Sequence, residues 1–281
     1  MGSIQWYPGH IAKAERDLKE QLKKVDLVLE VRDARIPLSS HHPLLLNWIG
    51  SKPRLLVLNR VDLIPETIKN SWTKWFQQKG ESAYFTNAKQ GEGVRPILRA
   101  ATNLGEVINQ KRKEKGMLPR PVRAVVLGFP NVGKSALINR LLGRKVAPSA
   151  RRVGITRQLK WVRISPTIEL LDAPGVIPSR LEDQEAAVKL AICEDIGEAA
   201  YDNQLIATAF IALLQELKNL EPLHTRYGLE VGLETAEDYI EKLAKHRYQE
   251  DKERCALQIL NDFRQGLMGV ISLELPPVED K

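Results

Sequence analysis

Gly128-Phe129-Pro130-Asn131-Val132-Gly133-Lys134-Ser135 sets two glycines around four residues and follows the second with a lysine and a hydroxyl. This is the G-x-x-x-x-G-K-[ST] pattern of a phosphate-binding loop. Each residue type has a physical task there. Glycines let backbone N–H groups close around an anion, and the start of the next helix adds partial positive charge. Lys134 would neutralise the β and γ phosphates, and Ser135 would ligate Mg²⁺. The pattern follows the apolar run Val122–Leu127 and opens a helical segment, so Asn131, Val132, Gly133, Lys134, Ser135 and Ala136 are the expected phosphate contacts.

A second constellation lies upstream. Asn59-Arg60-Val61-Asp62 follows the apolar run 54–58 and resembles the N-K-x-D base-recognition motif of GTPases. The Asp62 carboxylate accepts two hydrogen bonds, matching guanine N1–H and its exocyclic amine, whereas adenine offers no such donor pair. Asn59 would tie the base loop to the phosphate loop. Arg60 stands where lysine is usual, and its flat guanidinium can stack on a purine. Thr86-Asn87-Ala88-Lys89 resembles the S-A-K loop of GTPases, which implies backbone contact with guanine at Asn87 and Ala88. Downstream, Asp172-Ala173-Pro174-Gly175 matches D-x-x-G. Asp172 would hold Mg²⁺ through water and the Gly175 N–H would meet the γ-phosphate, while Thr156 is the candidate second protein ligand for the metal. Contacts that exist only with the γ-phosphate present make a switch. The motifs run base motif, base loop, phosphate loop, threonine, D-x-x-G, a rotated order with the base motif first.

The elements that must position these residues read as strands near 25–31, 54–58, 83–85, 122–127, 161–164 and 168–171. Helical periods cover residues up to about 23, then 66–79 and 94–113. Arg112–Pro121 is charged, contains glycine and prolines, and reads as the connector that relinks a permuted sheet. Alternating strands and helices predict a doubly wound α/β GTPase domain over 1–180. After residue 180, helical segments near 183–199, 203–219, 235–247 and 252–267 predict a small all-α domain over 181–281.

Charge divides along the same line. Residues 1–180 hold 32 Lys+Arg against 14 Asp+Glu, a balance of +18, and residues 181–281 hold 10 against 21, a balance of −11. The basic part suits a polyanion such as RNA. Candidate contacts are Arg144, Lys145, Arg151, Arg152 and Arg157, together with Lys13, Lys19, Lys23 and Lys24 and a tail group of Lys242, Lys245, His246 and Arg247. With 43% hydrophobic residues the chain can bury a core. No apolar run approaches a membrane span, the N-terminus lacks a signal-peptide core, and Trp6 breaks the myristoylation pattern. The expected location is cytoplasmic, with an organelle left open. Cys193 and Cys255, far apart, are expected to be buried thiols.

Trp6-Tyr7-Pro8-Gly9-His10, Asp33-Ala34-Arg35-Ile36-Pro37, the phosphate loop, Asp172–Gly175 and the ending from Asp262 to Glu274 match in order. With them, essentially the whole chain resembles the RbgA/YlqF family of circularly permuted ribosome-assembly GTPases. The resemblance implies GTP hydrolysis coupled to a late step of large-subunit maturation. It implies contact with ribosomal RNA and no role for DNA or a membrane. Val176 stands where many GTPases carry a water-positioning glutamine, as in this family. His10 matches the family's proposed catalytic histidine, and a turn histidine that caps the next helix is the alternative. Asn131 matches an asparagine that helps coordinate K⁺ in related GTPases, where the ion could replace an arginine finger. Two other readings stay open: a GTP-gated RNA-binding module without turnover, and a P-loop ATPase, which Asp62 disfavours.

Overall fold

The computed structural model describes residues 16–143, 160–172, 182–197, 201–229 and 235–278. Its centre is a six-stranded sheet: β1 (Leu27–Asp33), β2 (Arg54–Asn59), β3 (Ala83–Thr86), β4 (Val122–Leu127), β5 (Lys160–Ser165) and β6 (Ile168–Asp172). The spatial order is β3-β2-β1-β4-β6-β5. All neighbours are parallel except the β5–β6 hairpin. The chain winds outward from β1 through β2 to β3, then returns to β4 and winds the other way. The reversal between β1 and β4 is a topological switch point, where open α/β sheets bind ligands. The phosphate loop leaves β4 at that point.

Alternation along the strands explains the layers. Leu27, Leu29 and Val31 face one apolar cluster, and Val28 faces another with Val125 and Leu127. A period of two with both faces buried is the signature of a covered parallel sheet. Helix α1 (described as residues 16–22) and α2 (Leu45–Ile49) cover the Val28 face through Leu18, Leu22, Leu45 and Ile49. Helix α3 (Glu66–Gln78) places Trp72 and Phe76 against Leu56 and Leu58. Helices α4 (Val94–Glu114) and α5 (Lys134–Leu142) supply Ile97, Ala101, Leu137, Ile138 and Leu141 to the other face.

The tail is helical: α6 (Gln184–Ile192), α7 (Asn203–Glu216), α8 (Glu221–Tyr227), α9 (Ala236–Arg247) and α10 (Lys252–Arg264). Asp183, Asp202, Thr235 and Asp251 cap four of these by accepting from a backbone N–H three residues on. The largest apolar cluster runs without a break from the sheet into the tail helices, through Phe210, Ile259 and Phe263 to Leu273.

Two short helices, α2 and α8, escape the periodicity reading because neither is long enough to show a repeat. A third difference carries more meaning. The segment expected to be helical over 183–199 leaves the helix after Ile192. Glu194 takes a left-handed φ of 61°, and the Glu194 and Asp195 amides donate back to Ala191 O and Leu190 O. This stop frees the 193–195 backbone to reach the phosphate loop.

Candidate nucleotide site

Parallel strands carry three loops to one edge of the sheet. Asn59 ends β2, Thr86 ends β3, and Gly128 follows β4. Asn59 is the joint between them. Its Nδ2 donates to Val132 O at 2.7 Å, and its Oδ1 accepts from Thr86 Oγ1 at 3.1 Å and from the Ala88 amide at 3.0 Å. Only 4% exposed, it fixes the base motif, the base loop and the phosphate loop with one carboxamide. The close approach requires glycine at 133: a Cβ there would lie 2.1 Å from Asn59 Nδ2, and φ is 101°. Gly128 has the same constraint, because its Cβ would meet Val31 O at 2.2 Å.

The phosphate loop opens α5 with Gly133 in a left-handed conformation, so the first-turn amides begin at the loop. Lys134 is buried, and its Nζ donates to Gly128 O at 3.0 Å and Phe129 O at 2.5 Å. Ser135 and Ala136 are half-buried in that first turn. Asp62 is exposed on the 3₁₀ turn Val61–Leu63, a position open to a base. Arg140 of α5 donates to Ala88 O and Lys89 O and so holds the base loop from its other side.

Two expected base contacts have other partners here. The Ala88 amide is directed at Asn59 Oδ1, and the buried Asn87 side chain accepts from the Gln90 amide within its own turn. Both therefore shape the loop, because a hairpin turn this tight must satisfy its own backbone first. Arg60 has protein partners as well. Its guanidinium donates to Asp33 Oδ2 at 3.0 Å, Asn131 O at 2.5 Å and Cys193 O at 3.3 Å. Those donors clamp loops together, leaving only the flat face of the group for a purine.

Arg60 leads to a buried charge cluster that the sequence reading did not foresee. Arg35 and Asp33 are fully buried and bidentate, with Arg35 Nε and Nη2 donating at 3.0 and 2.7 Å. Arg35 also donates to Cys193 O and lies 4.8 Å from the Phe263 ring centre of α10. Asn131, at φ 56°, donates to Glu194 O at 2.8 Å. Burial opposes charge on Asp33, yet Arg35 and Arg60 hold its carboxyl below the usual range. Asp195 is also fully buried, 3.7 Å from Arg60, and neither carboxyl oxygen has a hydrogen-bond partner among the described residues. Burial and the neighbouring Asp33 push its carboxyl well above the usual range.

The C-terminal strap closes the same region. Ile271 N donates to Leu63 O, and Leu273 N donates to Arg35 O. The buried Glu274 carboxylate accepts from Leu38 N at 2.8 Å, from Ser39 N at 3.1 Å and from the Ser39 hydroxyl. No sequence motif announces Arg140, Asp195 or Glu274 as partners of this site, since their contacts span 51 to 236 residues of chain.

Of the expected metal ligands, Ser135 lies at the start of α5. Asp172 ends β6, in register with Val126 of β4. Thr156 lies outside the described residues, as do His10, Gly175 and the basic residues 144–157. A hydroxyl and a carboxylate are oxygen donors of the kind that suits a hard cation such as Mg²⁺. Among the described residues no group of three His, Cys, Asp or Glu side chains could hold a metal without such help. Cys193 and Cys255 are free and buried, and burial raises both thiols, Cys255 to about 12. No described helix is long and apolar enough to cross a membrane.

Fold and site define a P-loop GTPase whose base-recognition strands precede its phosphate loop in the chain. The family described as 50S ribosome-binding GTPase matches residues 123–229. The chain is 35% identical to Ribosome biogenesis GTPase A of Bacillus cereus, over 97% of this chain and 94% of that protein. It is 31% identical to Mitochondrial ribosome-associated GTPase 1 of Xenopus tropicalis, over 96% and 94%. The chain belongs to the ribosome biogenesis GTPase A family, and it binds and hydrolyses GTP. Among solved structures, the GNP-bound YlqF of T. maritima superposes with a TM-score of 0.63 at 23% identity, covering 94% of this chain and 98% of that one.

Proposed function

We propose that this GTPase acts at a late step of large ribosomal subunit assembly, docking on ribosomal RNA and hydrolysing GTP on correct docking. The observation that carries the nucleotide part is the Asn59 joint, which holds both base loops against the phosphate loop. The family supports the ribosomal part. In this reading residues 1–180 form the GTP-binding unit and 181–281 a helical unit that senses it, in a cytoplasmic or organellar setting.

Within the site, Asp62 reads guanine, and backbone amides of Asn131–Ala136 with Lys134 hold the phosphates. Ser135, Thr156 and Asp172 would hold Mg²⁺, which would supply positive charge to offset that of the phosphates. The Gly175 amide meets the γ-phosphate. His10 orients the attacking water, a task imidazole suits near neutral pH. Asn131 directs its amide nitrogen to Glu194 O, which leaves its carbonyl oxygen for K⁺.

The deciding experiment is GTP turnover in potassium buffer, with and without purified large subunits, repeated in sodium. Stimulation by subunits supports the reading, and loss in sodium supports the Asn131 role. Negligible stimulation overturns the ribosomal part. A His10→Ala variant with normal stimulated turnover removes His10 from the mechanism.

A further inference from the structure

We propose that the sheet edge opposite the nucleotide loops is an RNA-backbone binding surface built from Lys24, Lys52, Lys111, Lys113 and Lys115. Because the central strands are parallel, their C-terminal ends carry the nucleotide loops and their N-terminal ends gather elsewhere. The turn before β1, the turn before β2, the end of α4 and the connector to β4 all arrive at that second edge.

Specific contacts hold them together. Asp26 takes Arg120 in a bidentate pair at 2.8 and 2.9 Å. The Asp26 amide donates to Arg123 O, and Val28 N donates to Pro53 O. Asn109 of α4 and Arg120 exchange two hydrogen bonds at 3.0 and 3.1 Å.

Of the acids at this edge three are paired with other cations, and Glu114 meets only a neutral amide. Glu20 pairs with Lys23, Asp26 with Arg120, and Glu81 with Arg54, while Glu114 accepts from Gln110. None of the five lysines forms an ion pair among the described residues. Four are exposed and Lys52 is half-buried. The negative end of α4 favours Lys111 and Lys113. It favours Lys115 at the C-cap as well but does not account for Lys24 or Lys52, which lie on other segments.

Five lysines around one uncompensated carboxylate, that of Glu114, leave a net positive surface, and a phosphate backbone relieves the repulsion among them while releasing its own counterions. Lysine supplies point charges with neither a planar fork nor a ring, so the surface follows backbone and shape rather than base sequence. The choice of RNA among polyanions rests on the ribosomal function proposed above. Several of the other expected basic residues are engaged: Lys19 sits over the Trp48 ring, Lys23 pairs with Glu20, Lys245 pairs with Glu241, and Arg247 donates to Tyr227 O. Lying away from the nucleotide loops, the surface can hold RNA while GTP is bound and turned over.

The test uses the full chain and a labelled RNA duplex of about 20 base pairs, titrated over a salt series by fluorescence anisotropy. The variant carries K24Q, K52Q, K111Q, K113Q and K115Q together, and a second carries arginine at the same positions. The glutamine variant should lose roughly ten- to a hundred-fold in affinity. Its slope of log affinity against log salt should fall by about 0.7–0.9 for each contact removed. The arginine variant should stay within about two-fold of the parent, since charge is kept. Binding of a fluorescent GTP analogue should be unchanged in both, which shows that they fold. Unchanged duplex affinity and slope in the glutamine variant overturns the proposal. So does a parent protein that ignores the duplex but binds phosphatidylserine vesicles. Lysine-dependent duplex binding without stimulation of turnover by large subunits would leave the surface standing and remove the ribosomal function. Intact stimulation with lysine-independent duplex binding would do the reverse.

Discussion

Asn59 is the residue on which the nucleotide site turns. Its carboxamide satisfies three partners on two other loops, and truncation leaves the buried Val132 carbonyl and Ala88 amide without it. Asn59→Ala should cost about 2–3 kcal/mol of folding stability in urea titrations. In nucleotide titrations it should weaken GTP binding by more than about ten-fold, because the three loops lose their common register. Gly133→Ala tests the same contact from the other side. A methyl 2.1 Å from Asn59 Nδ2 at φ 101° cannot be absorbed by a flexible neighbour. Nucleotide binding should therefore fall further than in Asn59→Ala, while circular dichroism stays helical and sheet-like.

At the scale of elements, the loop after α6 and the C-terminal strap fasten the tail to the GTP-binding loops. Both use backbone carbonyls or amides, which makes their fit independent of side-chain type but dependent on where each element stops. Glu274 is the exception, a buried carboxylate accepting from the Leu38 and Ser39 amides beside the Asp33–Pro37 turn. Glu274→Gln replaces a charge-assisted acceptor by a neutral amide and should cost about 1–3 kcal/mol of local stability. Hydrogen exchange read peptide by peptide should show faster exchange at 38–40 and 271–275. Exchange at α4 should be unaltered, and a uniform change across the chain would contradict a local latch.

At the scale of the whole molecule, the buried cluster of Asp33, Arg35, Arg60 and Asp195 couples stability to pH. Asp195 keeps its proton in the folded chain to a higher pH than in the unfolded chain. The stability it contributes is full below the unfolded value of about 3.9 and is lost as pH rises toward the folded value. Asp195→Asn keeps the shape of the protonated side chain and cannot ionise. Its advantage over the parent should grow with pH by up to about 1.4 kcal/mol per unit, measured by urea unfolding at pH 5, 6, 7 and 8. A flat difference would show that Asp195 ionises freely. Glu30 works in the opposite sense. Burial opposes its charge, but Arg32 and His41 hold it well below the usual range, so its contribution is full above the unfolded value of about 4.3 and is lost progressively as pH falls below it.

The sequence by itself determined the chemistry of the phosphate loop, the base motif and nearly every long element, because those signals are local. A glycine-lysine-hydroxyl spacing, a period of two or 3.6, and an aspartate before a helix act within a few residues of chain. Val122–Leu127 and Ile168–Asp172 were legible as strands for that reason. Tertiary structure alone decided which atoms meet. It turned the Ala88 amide toward Asn59, drew the Arg60 guanidinium into Asp33 and Asn131, and stopped α6 at Ile192 so that Glu194 could meet the phosphate loop. These contacts join residues from 27 to 71 positions apart. Such contacts are set by burial and by the need to satisfy every buried polar group, conditions that exist only once the chain has closed on itself.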